Sequence, residues 1–509
     1  MKDNLCHDMF GVLLVYPDNR QAALGSPGFK QVFRSLSDSE HAVVDWGWYD
    51  KDNERLVEEH RVWKGKYRYI AFSVPFELLY GNVIRILTGL RLEPEKDKRE
   101  KEDPVILIGG VAPTINPSTA LVIADVVCTG EIEAHISDVE NRIFSNDNSG
   151  AVKRLTPMIG ISIPMKSHAA PDAIPAEKID SSLLDNFDNP EYSSFKGAGL
   201  VEVGRGCSRG CRFCAAGFIY LPVRHRSVDD VLRDARTYTG KAERIGLVGA
   251  SLSDHKSLKE IIRGVLDAGF GLTTSSFRAD MIDDEMMELL TAGNLKTVTL
   301  APEGGSDRIR NIINKHLTDT CILDAAGACA RAGIRSLRLY YMVGLPWEKE
   351  EDIEAVISLT AQVRELFRGA GKKITVSVNP FIPKPQTPFQ WCGMAKPGYI
   401  KDVYRKLKHG FLKMPGVHFK AMSARTALKE AVISLGDENV GRALIENVRN
   451  NVPWRKALAL HGIDVEHTVH RMKPPDELFP WDSLVSEKKK AALLASFDKA
   501  KKAAAEVEY

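Results

Sequence analysis

Six apolar, β-rich segments alternate with helical patterns across residues 197–380, and this alternation constrains the fold of the 509-residue chain more than any other feature. Apolar strands separated by helices favour a parallel sheet that is covered on both faces. Because βαβ crossovers are right-handed, the carboxyl ends of these strands meet on one rim. We therefore predict a partial (β/α)6 barrel over residues 197–396. Its strand segments are GLVEV, RIGLVGA, GLTTSSF, KTVTLAPE, SLRLYYMVGLP and KITVSVNPF. After the first of them, Ser227 is the predicted N-cap of a helix.

A second strand–helix alternation precedes the barrel and predicts a Rossmann-like domain over residues 1–150. Ligands of open α/β sheets bind at the carboxyl ends of the strands. A small-molecule site and a purely structural role both remain open for this domain. Its apolar runs are FGVLLVYP, HAVVDWGW, YRYIAFSV, PVILIGG and ADVVCTG.

The remaining segments lack this alternation. Residues 151–196 are rich in proline without sustained periodicity, which predicts a linker. Residues 397–509 predict a mostly helical C-terminal region, and the Ala/Lys-rich tail from Ser486 reads as a solvated, fraying helix. The locally basic run KLKHGFLKMPGVHFK at 406–420 predicts a solvated helix face, with an RNA-contacting patch as the alternative.

Composition limits the partners and the cellular compartment that we expect for the protein. The net charge is +2, so nothing global indicates nucleic acid, a membrane surface or an acidic substrate. We find no apolar run long enough for a membrane span, and the apolar N-terminal run reads as a buried strand rather than a signal peptide. Five of the eight cysteines are scattered, as in a reducing compartment. We therefore expect a cytoplasmic protein.

The other three cysteines, Cys207, Cys211 and Cys214, lie in the stretch RGCSRGCRFCAAG after the first barrel strand. Thiolates are soft ligands that suit zinc or iron–sulfur clusters. Three thiols on one glycine-rich loop indicate a metal centre with one position left open. The alternative is a structural zinc site with His225 as the fourth ligand.

The stretch CSRGCRFC resembles the C-x-x-x-C-x-aromatic-C signature of the radical SAM superfamily, with Phe213 in the aromatic position. TLAPEGGSDRIRNIINK, LRLYYMVGLPWE and VSVNPFIPKPQTPFQW resemble the fourth, fifth and sixth strand segments of that superfamily. GGVAPTINP and ADVVCTGEIEA resemble the cobalamin-binding domain that precedes the barrel in one branch. The resemblance extends over roughly residues 8–485.

This resemblance implies a mechanism. Cys207, Cys211 and Cys214 would hold a 4Fe–4S cluster, and S-adenosylmethionine (SAM) would chelate the open iron. Reduction by an external donor of the flavodoxin or ferredoxin type would give methionine and a 5′-deoxyadenosyl radical, which abstracts hydrogen from carbon. The substrate, a small molecule or a peptide, stays undefined, and nucleic acid is not expected as a partner.

The resemblance also implies the SAM-binding residues, at the ends of the later strands. Two of them, Ser276 and Arg278, have loop capping and a surface ion pair as alternatives. Glu303 could bind ribose hydroxyls, or pair with Arg308 or Arg310. The others are Gly249, Ala250 and Ser251 for the methionine amine, although VGASLSD departs from the family pattern, and Gly344 and Leu345 for the adenine.

The cobalamin of the related branch is less well supported. The family loop is D-x-H-x-x-G, whose histidine coordinates cobalt. Here Asp18 fits, but Arg20 stands at the histidine position and Ala23 at the glycine position. A charged guanidinium does not ligate cobalt. Either cobalamin binds without a lower protein ligand, or the domain keeps the fold alone.

Three functions follow from these observations. The first is radical SAM chemistry on a C–H bond, with cobalamin-linked methylation as one form of it. The second is tRNA modification, although the related enzymes carry a second cysteine set and a C-terminal β-barrel that this sequence does not resemble. The third is a non-catalytic, metal-stabilised binding module.

Overall fold

The computed structural model of the chain describes residues 9–39, 41–60, 62–134, 136–139, 195, 197–369 and 371–506. Almost all of the predicted linker at 151–196 lies outside these residues. The N-terminal part is a six-stranded sheet in the order β3-β2-β1-β4-β5-β6, parallel except for the antiparallel edge strand β3. Its strands are β1 (Phe10–Tyr16), β2 (Ala42–Asp50), β3 (Arg55–His60), β4 (Tyr67–Ser73), β5 (Val105–Gly109) and β6 (Val126–Cys128).

Both faces of this sheet are covered, as continuous apolar strands require. In β1, Leu13 and Val15 pack into one core, whereas Val12 and Leu14 pack into another on the opposite face. The parallel, Rossmann-like sheet confirms the predicted fold class. The helices of this part are α1 (Arg20–Leu24), α2 (Pro27–Ser37), α3 (Tyr80–Gly89), α4 (Val111–Ile115), α5 (Ser118–Ile123) and α6 (Ile136–Val139).

The predicted barrel is present as two four-stranded sheets, ordered β10-β9-β7-β8 and β11-β12-β13-β14. A single parallel bridge, Phe277 to Leu300, joins them among the described residues. The strands are β7 (Ala198–Arg205), β8 (Arg224–His225), β9 (Arg244–Gly249), β10 (Gly271–Thr274), β11 (Thr297–Glu303), β12 (Ser336–Val343), β13 (Lys373–Pro380) and β14 (Val417–Ala421).

Helices cover the outer face of these strands, where alternate apolar side chains form one core. Ser227 caps the helix that follows β8, as predicted, because its hydroxyl accepts from the backbone N–H of Asp230 at 3.1 Å. The helices are α7 (Ala216–Ile219), α8 (Val228–Arg236), α9 (Leu258–Asp267), α10 (Asp284–Ala292), α11 (Asp307–Ile312), α12 (Asp319–Arg331), α13 (Glu350–Leu366) and α14 (Pro397–Leu412).

The basic run at 406–420 is helical only to Leu412 and then forms β14, which pairs in parallel with β13. The prediction of one continuous helix face was therefore wrong. Apolar Val417 and Phe419 alternate with His418 and Lys420, a period of two that the preceding helical pattern obscures.

The C-terminal region is mostly helical, as predicted, and it packs behind the N-terminal sheet in a shared core. The tail helix is not the solvated helix that its composition suggests. Leu493, Phe497, Ala500 and Ala504 form a buried stripe, which alanine-rich surroundings make hard to see in the sequence. The remaining helices are α15 (Ala424–Leu435), α16 (Glu438–Arg449), α17 (Trp454–Leu460) and α18 (Glu487–Ala505).

A buried ion cluster joins the three regions of the chain. Lys384, which follows β13, lies 2.6 Å from Glu77 of the N-terminal part and 2.8 Å from Glu430 of α15. Ser434 of α15 also donates to Glu77, at 2.9 Å. Among the described residues no helix is long and apolar enough to cross a membrane.

Candidate functional site

The three clustered cysteines lie on the loop between β7 and α7, at the carboxyl ends of the barrel strands. Cys211 is buried, and Cys207 and Cys214 are half-buried. The backbone N–H of Cys214 donates to the carbonyl of Cys211 at 3.1 Å, so the loop is tightly wound. Gly206 has φ +83°, and a Cβ there would lie 2.4 Å from the carbonyl oxygen of Tyr220. The loop therefore requires glycine at this position.

Polar contacts fix this loop from two sides. Asn314 donates to the carbonyl oxygens of Arg209 and Gly210 at 3.2 and 2.9 Å. The guanidinium of Arg209 binds the carboxylate of Asp254, with N–O distances from 2.5 to 3.1 Å. Asp254 also accepts from the hydroxyl of Ser251. The end of β9 and the cysteine loop are thus held together by one carboxylate.

Arg212, inside the cysteine motif, ties the loop to the C-terminal helix. Its buried guanidinium donates to the carbonyls of Asn311 and Ile312 at 3.0 and 2.7 Å and to that of Ser496 at 2.9 Å. Ser496 belongs to α18, whose Phe497 packs between Trp347 and Trp391. The tail helix therefore covers the loop from behind.

The thiols lie close enough to influence one another. Burial raises the pKa of Cys211 to about 11; Cys214 and Cys207 add to the rise, and Lys315 opposes it. Burial likewise raises the pKa of Cys214. In the described part of the chain no three His, Cys, Asp or Glu residues gather at the spacing of a single metal ion. His225, the ligand of the zinc alternative, stacks on His255 with ring centroids 4.7 Å apart.

The donor set fits a cluster that is larger than one ion. Three cysteine sulfurs on one loop are the ligands that iron–sulfur clusters use. The positive charge of Lys315, which acts on Cys211 and Cys214, offsets the negative charge that thiolates bring. Cys207, Cys211 and Cys214 are thus the residues that could hold a 4Fe–4S cluster.

The predicted SAM residues after β9 and β10 lie on the same rim. Gly249 and Ala250 line a cavity of 360 Å³ that reaches the N-terminal sheet. Arg278 donates to the carboxylate of Asp280 and to the carbonyl of Lys315, both at 3.0 Å. Ser276 is exposed.

Glu303 stands at the tip of β11 with φ +69°, a backbone conformation that glutamate rarely adopts. Burial raises the pKa of its carboxyl, and Lys315 partly offsets this with its ammonium 3.5 Å away. Arg308 and Arg310 bind other carboxylates, those of Asp352 and of Asp307 and Asp319. The alternative ion pairs predicted for Glu303 are therefore absent from the described residues.

The turn after β12 carries Gly344 at φ +71° and buried Leu345. The carboxylate of Glu348 accepts from the N–H of Gly344 at 2.7 Å and from the hydroxyl of Tyr399 at 3.1 Å. Burial raises the pKa of Glu348 to about 7, although these two hydrogen bonds act to lower it. Phe213 is half-buried and packs against the core that the N-terminal sheet shares with the C-terminal helices.

Sequence reasoning missed Lys315, Asp254 and Glu348. Lys315 and Glu348 lie within segments that the resemblance had singled out, yet their partners are set by the fold. Asp254 is separated from Arg209 by 45 positions, so no local pattern connects them.

A second ion cluster joins the cysteine loop to the N-terminal sheet. Glu131, just after β6, binds Arg224 at 2.5 Å and Arg205 at 3.3 Å. Burial would raise the pKa of Glu131, but Arg224 and Arg205 outweigh it and lower the pKa. Arg205 also binds Glu133 and Glu202 at 2.8 and 2.9 Å. This cluster lines the 360 Å³ cavity between the sheet and the barrel.

Known proteins match the chain over different lengths. An uncharacterized protein of Methanocaldococcus jannaschii is 28% identical over 441 residues, which cover 85% of this chain and 90% of that protein. A ribosomal protein uS12 methylthiotransferase of Thermosipho africanus is 25% identical over 38% of this chain and 50% of its own length. A tRNA-2-methylthio-N(6)-dimethylallyladenosine synthase of Anaplasma marginale is 24% identical over 54% of this chain and 65% of its own length.

A solved structure of the cobalamin-dependent S-adenosylmethionine radical enzyme OxsB, with aqua-cobalamin and S-adenosylmethionine bound, covers 98% of this chain and 80% of its own. Its sequence identity is 13% and its TM-score is 0.47. Residues 48–159 match the family model for the N-terminal region of radical SAM proteins, and residues 201–360 match that of the radical SAM superfamily. The second match contains the cysteine loop, the carboxyl ends of β7 and of β9 to β12, and Lys315, so residues 201–360 are a radical SAM domain.

Proposed function

We propose that this protein is an enzyme that binds a 4Fe–4S cluster through Cys207, Cys211 and Cys214 and uses it to cleave SAM reductively. One observation carries the proposal. Three free thiols share one fixed loop at the carboxyl ends of the barrel strands. When bound, such a cluster supplies one electron to the sulfonium, and the products are methionine and a 5′-deoxyadenosyl radical that reacts with a C–H bond.

The surrounding residues orient SAM. The backbone at Gly249, Ala250 and Ser251 would bind the methionine amine, and Asp254 holds this turn against the cysteine loop. Glu303 accepts from the ribose hydroxyls, and its fixed position on β11 suits that task.

Gly344 and Leu345 would border the adenine. Ser276 and Arg278 bind the methionine carboxylate or the substrate. Phe213 packs beneath the loop, and α18 excludes water from its rear face. An external one-electron donor of the flavodoxin or ferredoxin type completes the system.

The test is anaerobic reconstitution with iron and sulfide, followed by reduction in the presence of SAM. We expect a brown protein that releases 5′-deoxyadenosine. Cys214→Ala should lose the cluster absorbance and the product, whereas Cys321→Ala, which removes a half-buried thiol of α12, should retain both. An intact cluster with bound SAM and no 5′-deoxyadenosine would refute the proposal.

Cobalamin-linked methylation is a second candidate. The observation that favours it is the 360 Å³ cavity at the carboxyl edge of the N-terminal sheet, which opens toward Gly249 and Ala250 of the barrel. The sheet supplies no histidine for cobalt at the expected position. Arg20 is held there by Glu59, with its Nε 2.7 Å from the carboxylate.

If cobalamin occupies the cavity, it binds without a lower protein ligand. Anaerobic titration with hydroxocobalamin should then give saturable binding, and Arg20→Ala should leave the dissociation constant unchanged. Absence of binding to the cluster-loaded protein would leave the N-terminal sheet with a structural role.

A tRNA-modifying activity has less support from the described residues. The C-terminal region contributes a single strand, β14, to the barrel, and its remaining elements are helical, so it forms no separate β-barrel between 397 and 506. A salt-sensitive shift of tRNA in a gel would favour this activity.

A further inference from the structure

The inner face of the second barrel sheet presents a grid of polar side chains. In β12, Leu337, Leu339 and Tyr341 point outward to the helices, so Arg338 and Tyr340 point inward. In β14, Phe419 packs against Tyr404 and Phe411 of α14, which places its neighbours on the inner face. Those neighbours are His418 and Lys420.

Strand register assembles these residues into rows. Arg338 pairs with Thr375, which pairs with His418. One step closer to the rim, Tyr340 pairs with Ser377, and Ser377 pairs with Lys420. Arginine, lysine, histidine, tyrosine and hydroxyl groups therefore share one surface.

This surface carries positive charge without a carboxylate. Arg338, His418 and Lys420 are exposed, and Tyr340 is 37% exposed. The described residues provide no ion pair or side-chain hydrogen bond for Arg338 or Lys420. From Thr297 to Ala301 and along β12 to β14, the inward positions include no aspartate or glutamate. Glu303, at the tip of β11, is already paired with Lys315.

Space for a ligand adjoins this surface. Arg338 lines a cavity of 860 Å³ at the amino ends of β9 to β11, together with Thr273, Thr274, Thr297 and Thr299. The cations Arg244 and Lys296 and one carboxylate, that of Glu243, also line this cavity. A closed barrel fills its interior with layers of bulky branched side chains. Here the interior positions are polar and reach open space, which is the arrangement of a binding site rather than of a packed core.

We propose that Arg338, His418 and Lys420 bind the anionic oxygen group, a phosphate or a carboxylate, of a small-molecule substrate. This inference rests on the proposed function only for the reaction that the bound molecule then undergoes. Arginine offers a planar fork of N–H donors to such a group, and lysine adds a compact charge.

A small molecule fits better than a nucleic acid. The cations lie on the concave inner face of a sheet, whereas a nucleic acid needs positive charge along an accessible surface. The basic residues of the run at 406–420 are also divided between two faces. Lys408 is exposed on α14, which covers the outside of the sheet, whereas Lys420 faces inward.

The experiment measures binding of pyrophosphate and of citrate to the reconstituted, full-length protein by anaerobic titration calorimetry. We expect saturable binding of one of the two probes, which identifies the phosphate or the carboxylate arm. Arg338→Gln and Lys420→Gln should each weaken it at least about tenfold, the loss expected from one charge-assisted hydrogen bond. Lys408→Gln is the matched control and should leave the affinity unchanged.

Three results would overturn the inference. The first is that neither probe binds. The second is that Arg338→Gln and Lys420→Gln bind the probe as tightly as the wild type. The third is that Lys408→Gln weakens binding as much as these two variants do. Because these positions are exposed, circular dichroism should show that the variants remain folded.

The outcome is separable from that of the proposed function. Calorimetry needs no turnover, so Arg338-dependent binding in a protein that fails to cleave SAM would support the anion site and reject the radical chemistry. Cleavage of SAM without Arg338-dependent binding would support the radical chemistry and reject the anion site. Binding of a tRNA fragment that weakens in Lys408→Gln as well would replace the small molecule with a macromolecular partner.

Discussion

Glu303 combines two costs at one residue, burial of a carboxylate and a left-handed backbone. A non-glycine residue held there costs about 1–3 kcal/mol, and such residues concentrate at functional sites. Lys315 offsets part of the burial cost through its ammonium group, 3.5 Å away. The same lysine acts on Cys211 and Cys214, so one cation serves both the carboxylate and the thiols.

Glu303→Gln tests the role of this carboxylate. The amide keeps the shape of the side chain but accepts more weakly from ribose hydroxyls, so the KM for SAM should rise about tenfold. Iron content should stay at the wild-type level, since no cysteine is altered. A variant with normal KM and lost iron would assign Glu303 a structural role instead.

Glu348 predicts a pH dependence of stability. Its pKa is about 7 in the folded protein against 4.5 for an ordinary glutamate, chiefly because it is buried. A raised carboxyl pKa means that the folded protein binds the proton more tightly than the unfolded chain. The contribution is complete below pH about 4.5 and is lost as the pH rises to about 7, and it amounts to roughly 3 kcal/mol.

Urea denaturation at pH 5 and pH 8 measures this contribution. Glu348→Gln mimics the neutral acid, so its free energy of unfolding should fall less between the two pH values than that of the wild type. Glu351→Gln, three residues later in the sequence and exposed, should retain the wild-type difference.

Single residues could be predicted where a local pattern defines them. The N-cap pattern at Ser227 is confirmed, whereas the role of Cys207, Cys211 and Cys214 as cluster ligands stays a prediction from their spacing. The charge partners could not be predicted, because Arg212 meets Ser496 across 284 positions and only the folded chain brings them together.

Among the elements, α18 shows how much composition can conceal. Its aromatic residue Phe497 is 2% exposed and touches Trp347 and Trp391, and the preceding residue receives the guanidinium of Arg212. A helix at the far end of the chain therefore supports the loop that carries the thiols.

Phe497→Ala should lower the free energy of unfolding by about 3–5 kcal/mol, as expected for removal of a buried aromatic ring. Reconstituted protein should also lose iron faster during anaerobic gel filtration, because the support behind Arg212 is weakened. Lys499→Ala on the exposed side of the same helix should change neither quantity. Equal iron loss in the two variants would show that α18 does not support the cysteine loop.

The strands of the barrel also show which elements the sequence predicts and which it conceals. All six predicted strands are present because each has a continuous or alternating apolar run. The strand β14 was not predicted, although Pro415 and Gly416 form a turn before it, since Val417 and Phe419 are its only large apolar residues and the basic helical pattern ends just before it.

The regions of the whole molecule are joined by buried charge rather than by apolar packing alone. Lys384 faces Glu77 and Glu430, whose side chains are both 5% exposed. Removal of one partner from such a cluster leaves uncompensated charge in the interior.

Lys384→Met should therefore lower the free energy of unfolding by about 3–5 kcal/mol. The triple variant Lys384→Met, Glu77→Gln, Glu430→Gln should recover part of this loss, since it removes the remaining carboxylates as well. Urea denaturation followed by fluorescence and circular dichroism measures both. A triple variant less stable than the single one would show that the carboxylates contribute through other contacts.

The strand β14 has a consequence for how the proposed roles are divided along the chain. The match to the superfamily model ends at residue 360, whereas His418 and Lys420 come from a strand beyond it. If His418 and Lys420 bind the anionic group as proposed, substitutions in this late strand should change which molecule binds and leave the cysteine loop unaltered. The groups proposed to choose the bound molecule would then be separate along the chain from those proposed to generate the radical.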